Sequence, residues 1–314
     1  LTAAIPISGG IIEYVDRTFG STVSFLTGWL LALGTGIICP WETIAISTLV
    51  SEMFGDLLPF LRSIRLYRVF GADVYLWPTV IALAFAGYVI FLNFKGAAAT
   101  AKLQAFLTKA LLCGMVLAMI IALFVGSPSN ALPLFQQVTD SPAGTGNFTS
   151  AGGFFAGILA VLVITPFFYA GFDTIPQQAE VICIYSFGST IPWTELVKSP
   201  VPALACLKRI NLLLYLGMLT IATLGTMGPM NSFFAATTRV LLAMGRKGQI
   251  PERFAKVDEK TGVPKTACIL LAVLTLVGPF LGKNMLMSLT IVSSLGFVFS
   301  CAMISFAGLR MRRT

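Results

Sequence analysis

Thr165-Pro166-Phe167-Phe168-Tyr169-Ala170-Gly171-Phe172-Asp173-Thr174-Ile175-Pro176 sets proline, glycine and a carboxylate inside a long apolar run. Gly171 is a poor helix residue. Pro176 has no N–H to give to the carbonyl four residues back, so backbone groups are freed within a segment long enough to cross a bilayer. Non-helical backbone at that depth is tolerated only where it is buried in protein or lines a wet cavity. A broken helix over 165–176 with a carboxylate at the break therefore reads as a substrate site of the kind secondary transporters build.

Working outward, 56% of the residues are hydrophobic and 11% charged, with a mean hydropathy of +0.88; an ordinary soluble domain carries about 25% charged residues. The apolar residues come in helix-length blocks rather than alternating ten-residue strands, which specifies an all-α, polytopic integral membrane bundle and not a barrel. The net charge of +8 sits in short loops between these blocks, as membrane orientation requires, so nucleic acid is not an expected partner. There is no histidine, which excludes histidine metal sites and histidine acid–base chemistry. Cys39, Cys113, Cys268 and Cys301 lie in apolar blocks, Cys183 and Cys206 flank a loop, and none has metal-ligand spacing; they read as small packing residues. No cofactor is expected.

Residues 1–14 read as the end of a helix, followed by a polar turn at Asp16, Arg17 and Gly20. Hydropathy places spans at about 21–54, 74–94, 103–126, 152–180, 209–243, 264–282 and 285–308. Loop 127–151 has no Lys or Arg and carries the glycosylation-type triplet Asn147-Phe148-Thr149, so it belongs outside. Loop 245–265, with Arg246, Lys247, Arg253, Lys256, Lys260 and Lys265, belongs in the cytoplasm, as does the tail with Arg310, Arg312 and Arg313. Arg62, Arg65 and Arg68 fall in an outer loop, against the same rule, and the sequence offers no account of them.

These sides conflict with parity. With 152–180 returning the chain to the cytoplasm, one crossing at 209–243 puts the most basic loop outside. Residues 181–208 hold prolines, Glu195, Lys198 and Lys208 and make a poor span. The economical expectation is that one helix is missing between Glu180 and Lys208.

Three stretches carry a family resemblance. They are Pro6-Ile7-Ser8-Gly9-Gly10 with Tyr14, Phe19-Gly20, Phe25 and Gly28-Trp29; Phe168-Tyr169-Ala170-Gly171-Phe172-Asp173 followed by Ala179-Glu180; and Asn231-Ser232 through Thr238-Arg239-Val240-Leu241, Met244 to Pro251 and Gly262-Val263-Pro264. In this order they resemble the amino acid permeases of the amino acid-polyamine-organocation (APC) superfamily. The resemblance implies an inverted-repeat, LeuT-like fold in which substrate lies between two broken helices. Only the second of those two is found here; the family's first, seventh and last two helices have no counterpart, and the pattern fails after Glu180 at Val181-Ile182-Cys183.

On that resemblance the chain is expected in the plasma membrane, carrying amino acids or related small amines by alternating access, as symporter or antiporter, with protons as coupling ion and no covalent chemistry. Two rivals are an incomplete, transport-inactive product, which would accumulate no amino acid in liposomes, and a seven-span receptor, which the ordered motifs disfavour. Phe167, Phe168, Ala170, Gly171, Phe172 and Asp173 are the expected substrate-binding residues, the backbone at Gly171 for the amino and carboxylate groups and the aromatics for closure. Asp173, Glu42 and Lys109 are the coupling candidates. A charge within a span costs about 2.5–3.5 kcal/mol, which argues for a role for Asp173, as proton carrier or as acceptor for loosened backbone. Glu42, after Pro40-Trp41 in a long span, raises the same question, and its place nearer one end leaves contact with solvent as the alternative. Lys109 lies where its stem can snorkel, and the family's coupling lysine aligns better with Leu111.

Overall fold

The apolar blocks fold as helices. In the computed structural model, which describes residues 10–131, 158–159, 162–163, 165–166, 189–192, 195 and 202–311, five helices are long and apolar enough to cross a membrane: Ser21–Glu52, Leu76–Lys95, Ala98–Val125, Leu212–Arg246 and Met285–Met311. A shorter apolar helix covers Lys265–Phe280. The protein is an all-α, multi-pass integral membrane protein. Its residues fall into two compact units, Leu1–Ala105 with Val163–Phe168 and Thr226–Thr314, and Phe106–Leu162 with Tyr169–Gly225.

The first unit begins with α1 (Gly10–Phe19). Asp16 and Arg17 lie within this helix rather than in a turn, because Glu13 and Arg17 pair at 2.9 Å one turn apart. The turn falls at Gly20, whose φ of +88° only glycine adopts without strain. The 21–52 crossing is α2 (Ser21–Gly36) and α3 (Ile38–Leu49), stepped at Ile37, with a π-helical turn at Val50–Phe54. Then come α4 (Leu76–Lys95), the start of α5 (Ala97–Val125), α8 (Met227–Arg246), α9 (Lys265–Val277) and α10 (Met285–Met311).

Within a bilayer, apolar side chains gain little by leaving lipid, so helices associate through close backbone approach and interhelical hydrogen bonds. The packing of α2 on α10 shows both. A Cβ on Gly34 would lie 3.1 Å from Ser293 O, and one on Gly296 would lie 3.0 Å from Gly34 Cα and against Leu30 O. Ser293 Oγ donates to Gly34 O at 2.6 Å and Ser300 Oγ to Thr27 O at 3.5 Å. Against α8, Gly28 faces Met244 and Gly36 faces Thr237, Thr237 Oγ1 donates to Thr35 Oγ1 at 2.7 Å and Cys39 Sγ reaches Met230 O at 3.7 Å. These pairings descend on one helix as they rise on the other, so α8 and α10 both run antiparallel to α2–α3. At the opposite end Ile46, Val50, Leu61 and Ala82 share a core, which makes α4 antiparallel too.

The segment carrying Arg62, Arg65 and Arg68 is a β-hairpin that the sequence reading did not anticipate. Strand β1 (Arg65–Val69) pairs with β2 (Ala72–Tyr75), so residues 74–75 are strand and α4 begins at Leu76. Each arginine has local work that outweighs its side of the membrane. Arg62 Nε donates to Ser51 O at 2.7 Å and Nη2 to Glu52 O at 3.2 Å, capping carbonyls at the helix end. Arg65 pairs with Asp73 across the hairpin at 3.4 Å, and Arg68 Nε and Nη2 reach Gly71 O at 3.3 Å. The two-residue turn puts Phe70 at φ +47° and Gly71 at +79°; that geometry suits Asn-Gly, and a left-handed phenylalanine costs about 1–2 kcal/mol.

In the second unit, α6 (Pro202–Ile210) and α7 (Leu212–Gly225) are joined at Asn211, whose Oδ1 accepts from Leu213 N at 2.7 Å as an N-cap. Gly114 of α5 faces Ile221 and Gly225 faces Leu111. Ser127 N and Asn130 Nδ2 both donate to Ser189 O at 2.7 Å. Five cysteines, Cys39, Cys113, Cys206, Cys268 and Cys301, are free thiols.

Candidate functional site

Glu42 lies in α3, two residues past Pro40. Pro40 falls in the first turn, where its missing N–H costs little, and the helix resumes with Trp41 N bonding Ile37 O at 3.1 Å. The neighbours of Glu42 are tied to three different helices. Cys39 Sγ reaches Met230 O of α8. Trp41 Nε1 donates to Thr290 Oγ1 at 3.0 Å and Leu286 O at 3.1 Å on α10. Thr43 Oγ1 reaches Thr275 O of α9 at 3.1 Å and Pro40 O at 2.8 Å. Glu42 itself is a buried residue, 6% exposed. Its carboxyl group makes no hydrogen bond or ion pair with a described residue. Glu42 is thus a buried residue whose neighbours Cys39, Trp41 and Thr43 fasten its turn of α3 to three helices.

The other sequence candidates separate. Phe167, Phe168, Ala170, Gly171, Phe172 and Asp173 lie outside the described residues; Thr165 and Pro166 just before them are helical. Lys109 is on the part of α5 in the second unit, exposed, and makes no ion pair with a described residue.

Two polar clusters in the first unit escaped the sequence reading. One is a buried amide network: Asn93 Nδ2 donates to Asn231 Oδ1 at 2.9 Å, and Asn231 Nδ2 to Thr100 O and Gln104 Oε1 at 3.3 Å each. It joins α4, α5 and α8 by bonds that have no competing water within a membrane. The other lies beyond the spans, where Lys247 Nζ sits 2.6 Å from both Glu13 Oε2 and Asp16 Oδ2. Lys247 and then Arg17 hold the Glu13 carboxyl below its ordinary 4.5. Partial burial pushes the Lys247 ammonium down, but Asp16 and Glu13 outweigh it and hold it above 10.5. Gln249 Nε2 donates to Ser24 Oγ at 3.0 Å beside this cluster, so the loop after α8 is fastened to α1 and to the start of α2. Among the described residues no group of three His, Cys, Asp or Glu side chains is placed to hold a metal ion.

A family model described as amino acid permease matches residues 1–180, more than half of the chain. The chain belongs to the amino acid permease family. A second amino acid permease model matches residues 179–314, so the two matched stretches meet where the sequence pattern breaks after Glu180. The amino-acid permease RocE of Bacillus subtilis (strain 168) is 24% identical over 308 residues, covering 86% of this chain. The chain spans 58% of that relative's length. Within this permease chain, Glu42 and residues 167–173 belong to the first matched stretch, while Asn231 and Lys247 belong to the second.

Proposed function

We propose that the chain moves amino acids or related small amines across a membrane by alternating access, coupled to protons. Phe167, Phe168, Ala170, Gly171, Phe172 and Asp173 bind substrate and Glu42 exchanges the proton. The observation that carries this reading is the buried Glu42, unpartnered among the described residues, within the helical frame of a permease-family chain. Gain or loss of a charge there changes the energy of its surroundings by about 2.5–3.5 kcal/mol, enough to shift a two-state equilibrium by roughly a hundredfold. A freed backbone at Gly171 supplies N–H and C=O groups for the carboxylate and amino groups of the substrate, as broken helices do elsewhere. Asp173, which follows Gly171 and Phe172 in the sequence, accepts hydrogen bonds from that loosened backbone or shares the proton. Uptake of labelled amino acids into proteoliposomes under an imposed proton gradient tests the reading: Glu42→Gln is expected to abolish accumulation against the gradient while leaving exchange of bound substrate. Unchanged accumulation by Glu42→Gln refutes the role of Glu42.

A second reading is favoured by the sense of the helices. Because α4 and α8 both run against α2–α3, the chain between residue 95 and the start of the 212–246 span has to cross the membrane an odd number of times. Its apolar blocks at 103–126 and 152–180 supply two crossings, and 181–211 is too polar for a third. On this reading one crossing after Glu180 is missing from the chain, the bundle does not assemble in a bilayer, and no transport occurs.

A further inference from the structure

The hairpin end of the first unit exposes large apolar side chains at and beyond the start of the membrane-spanning helix α4. Phe70 is 65% exposed at the tip, Phe60 55%, and Ile64, Leu66 and Trp77 are also exposed. Phe60 and Trp77 meet edge to face with ring centroids 6.4 Å apart. Arg65 and Arg68 are exposed on the same hairpin. Strand β2 runs into α4 with no linker, Tyr75 being followed directly by Leu76, so this surface continues the lipid-facing surface of a membrane span. Aromatic rings and arginines at a span end are the side chains that suit the headgroup layer, where rings meet acyl chains and guanidinium groups meet phosphate.

The tip adds a second, independent observation. Phe70 is held in the left-handed region, where Asn would be relaxed. The turn is fixed there by Asn284 Nδ2, which donates to Phe70 O at 2.7 Å, and by Tyr67 Oη, which donates to Phe280 O at 2.8 Å. The strained turn is thus clamped with Phe70 facing outward, 65% exposed.

We propose that the 65–75 hairpin is an interfacial anchor that seats in the phospholipid headgroup layer, with Phe70 inserted toward the acyl chains and Arg65 and Arg68 at phosphate depth. This holds whether or not the chain transports. The test places the photoreactive residue p-benzoylphenylalanine at position 70 of the full chain in vesicles of phosphatidylcholine and phosphatidylglycerol. The lipid-facing Phe91 position on α4 is the positive control, and exposed Glu259 the negative one. A phospholipid adduct on the peptide containing residue 70, matching that at 91 and absent at 259, is expected. Adducts only to protein, whether this chain, a second copy or another partner, overturn the proposal, as does no adduct at 70 when 91 gives one. A companion variant, Phe70→Asn, relaxes the turn; it is expected to melt no lower than the parent while lipid adducts from a probe at Phe60 fall several-fold. Equal adduct yield with and without Phe70 contradicts its role as the inserted tip.

Discussion

Replacing Gly296 with alanine tests whether backbone approach holds the first unit together. The added methyl would meet Leu30 O and lie 3.0 Å from Gly34 Cα and 3.1 Å from Gly34 N. All three are backbone atoms, so no side chain can swing aside and α2 and α10 have to part. Overpacking of this kind costs about 1–3 kcal/mol. Separation also stretches the bonds from Ser293 Oγ to Gly34 O and from Ser300 Oγ to Thr27 O, each worth about 0.6 kcal/mol between membrane helices. Alanine's better helix propensity returns about 0.8–1 kcal/mol, leaving a net loss of about 1–3 kcal/mol. Gly87 on α4 is the control, because a Cβ there meets nothing within 4 Å; Gly87→Ala is expected to be neutral or to stabilise by up to about 1 kcal/mol. Thermal unfolding of both variants in detergent, followed by loss of the monodisperse peak, should place Gly296→Ala clearly below the parent and Gly87→Ala at or above it. Equal stability of the two variants would falsify the packing account.

The Lys247 cluster makes a pH prediction. Glu13, held low, contributes stability that is present above pH 4.5 and lost as pH falls through its lower folded value. Lys247, held high, contributes stability present below pH 10.5 and lost as pH rises through its higher folded value. Lys247→Gln should therefore lower the melting temperature between these limits, by the equivalent of about 0.5–1 kcal/mol for a partly exposed cluster, and flatten both flanks of the profile; an unchanged profile contradicts the assignment. The two readings of the chain diverge on sidedness: cysteines placed at Arg17 and Lys256 are expected to react with an impermeant thiol reagent from the same side, as the shared end of the first unit requires. Labelling from opposite sides would support the missing crossing instead.

Much of the helical frame is legible in the sequence because bilayer thickness imposes runs of apolar residues that no soluble fold needs. The hairpin is not legible, for local reasons. Arg65–Val69 lacks a clean alternation of buried and exposed positions, and its turn carries Phe-Gly where Asn-Gly would have signalled it. The placement of Asp16 and Arg17 in α1 was available from the four-residue spacing of Glu13 and Arg17. Glu42 is visible as an ionisable residue in an apolar block, but its burial depends on where α8, α9 and α10 come to lie. The pairing of Asn93 with Asn231, and of Gly34 with Gly296, joins residues far apart in the chain, and no local pattern encodes such distances.

Uptake by the 314-residue chain itself bears most directly on the proposed function. Purified chain in liposomes, given an inward proton gradient and a mixture of labelled amino acids, is expected to show saturable accumulation that an uncoupler collapses. No accumulation above protein-free liposomes, from a preparation in which Arg17 and Lys256 label from one side, would contradict it.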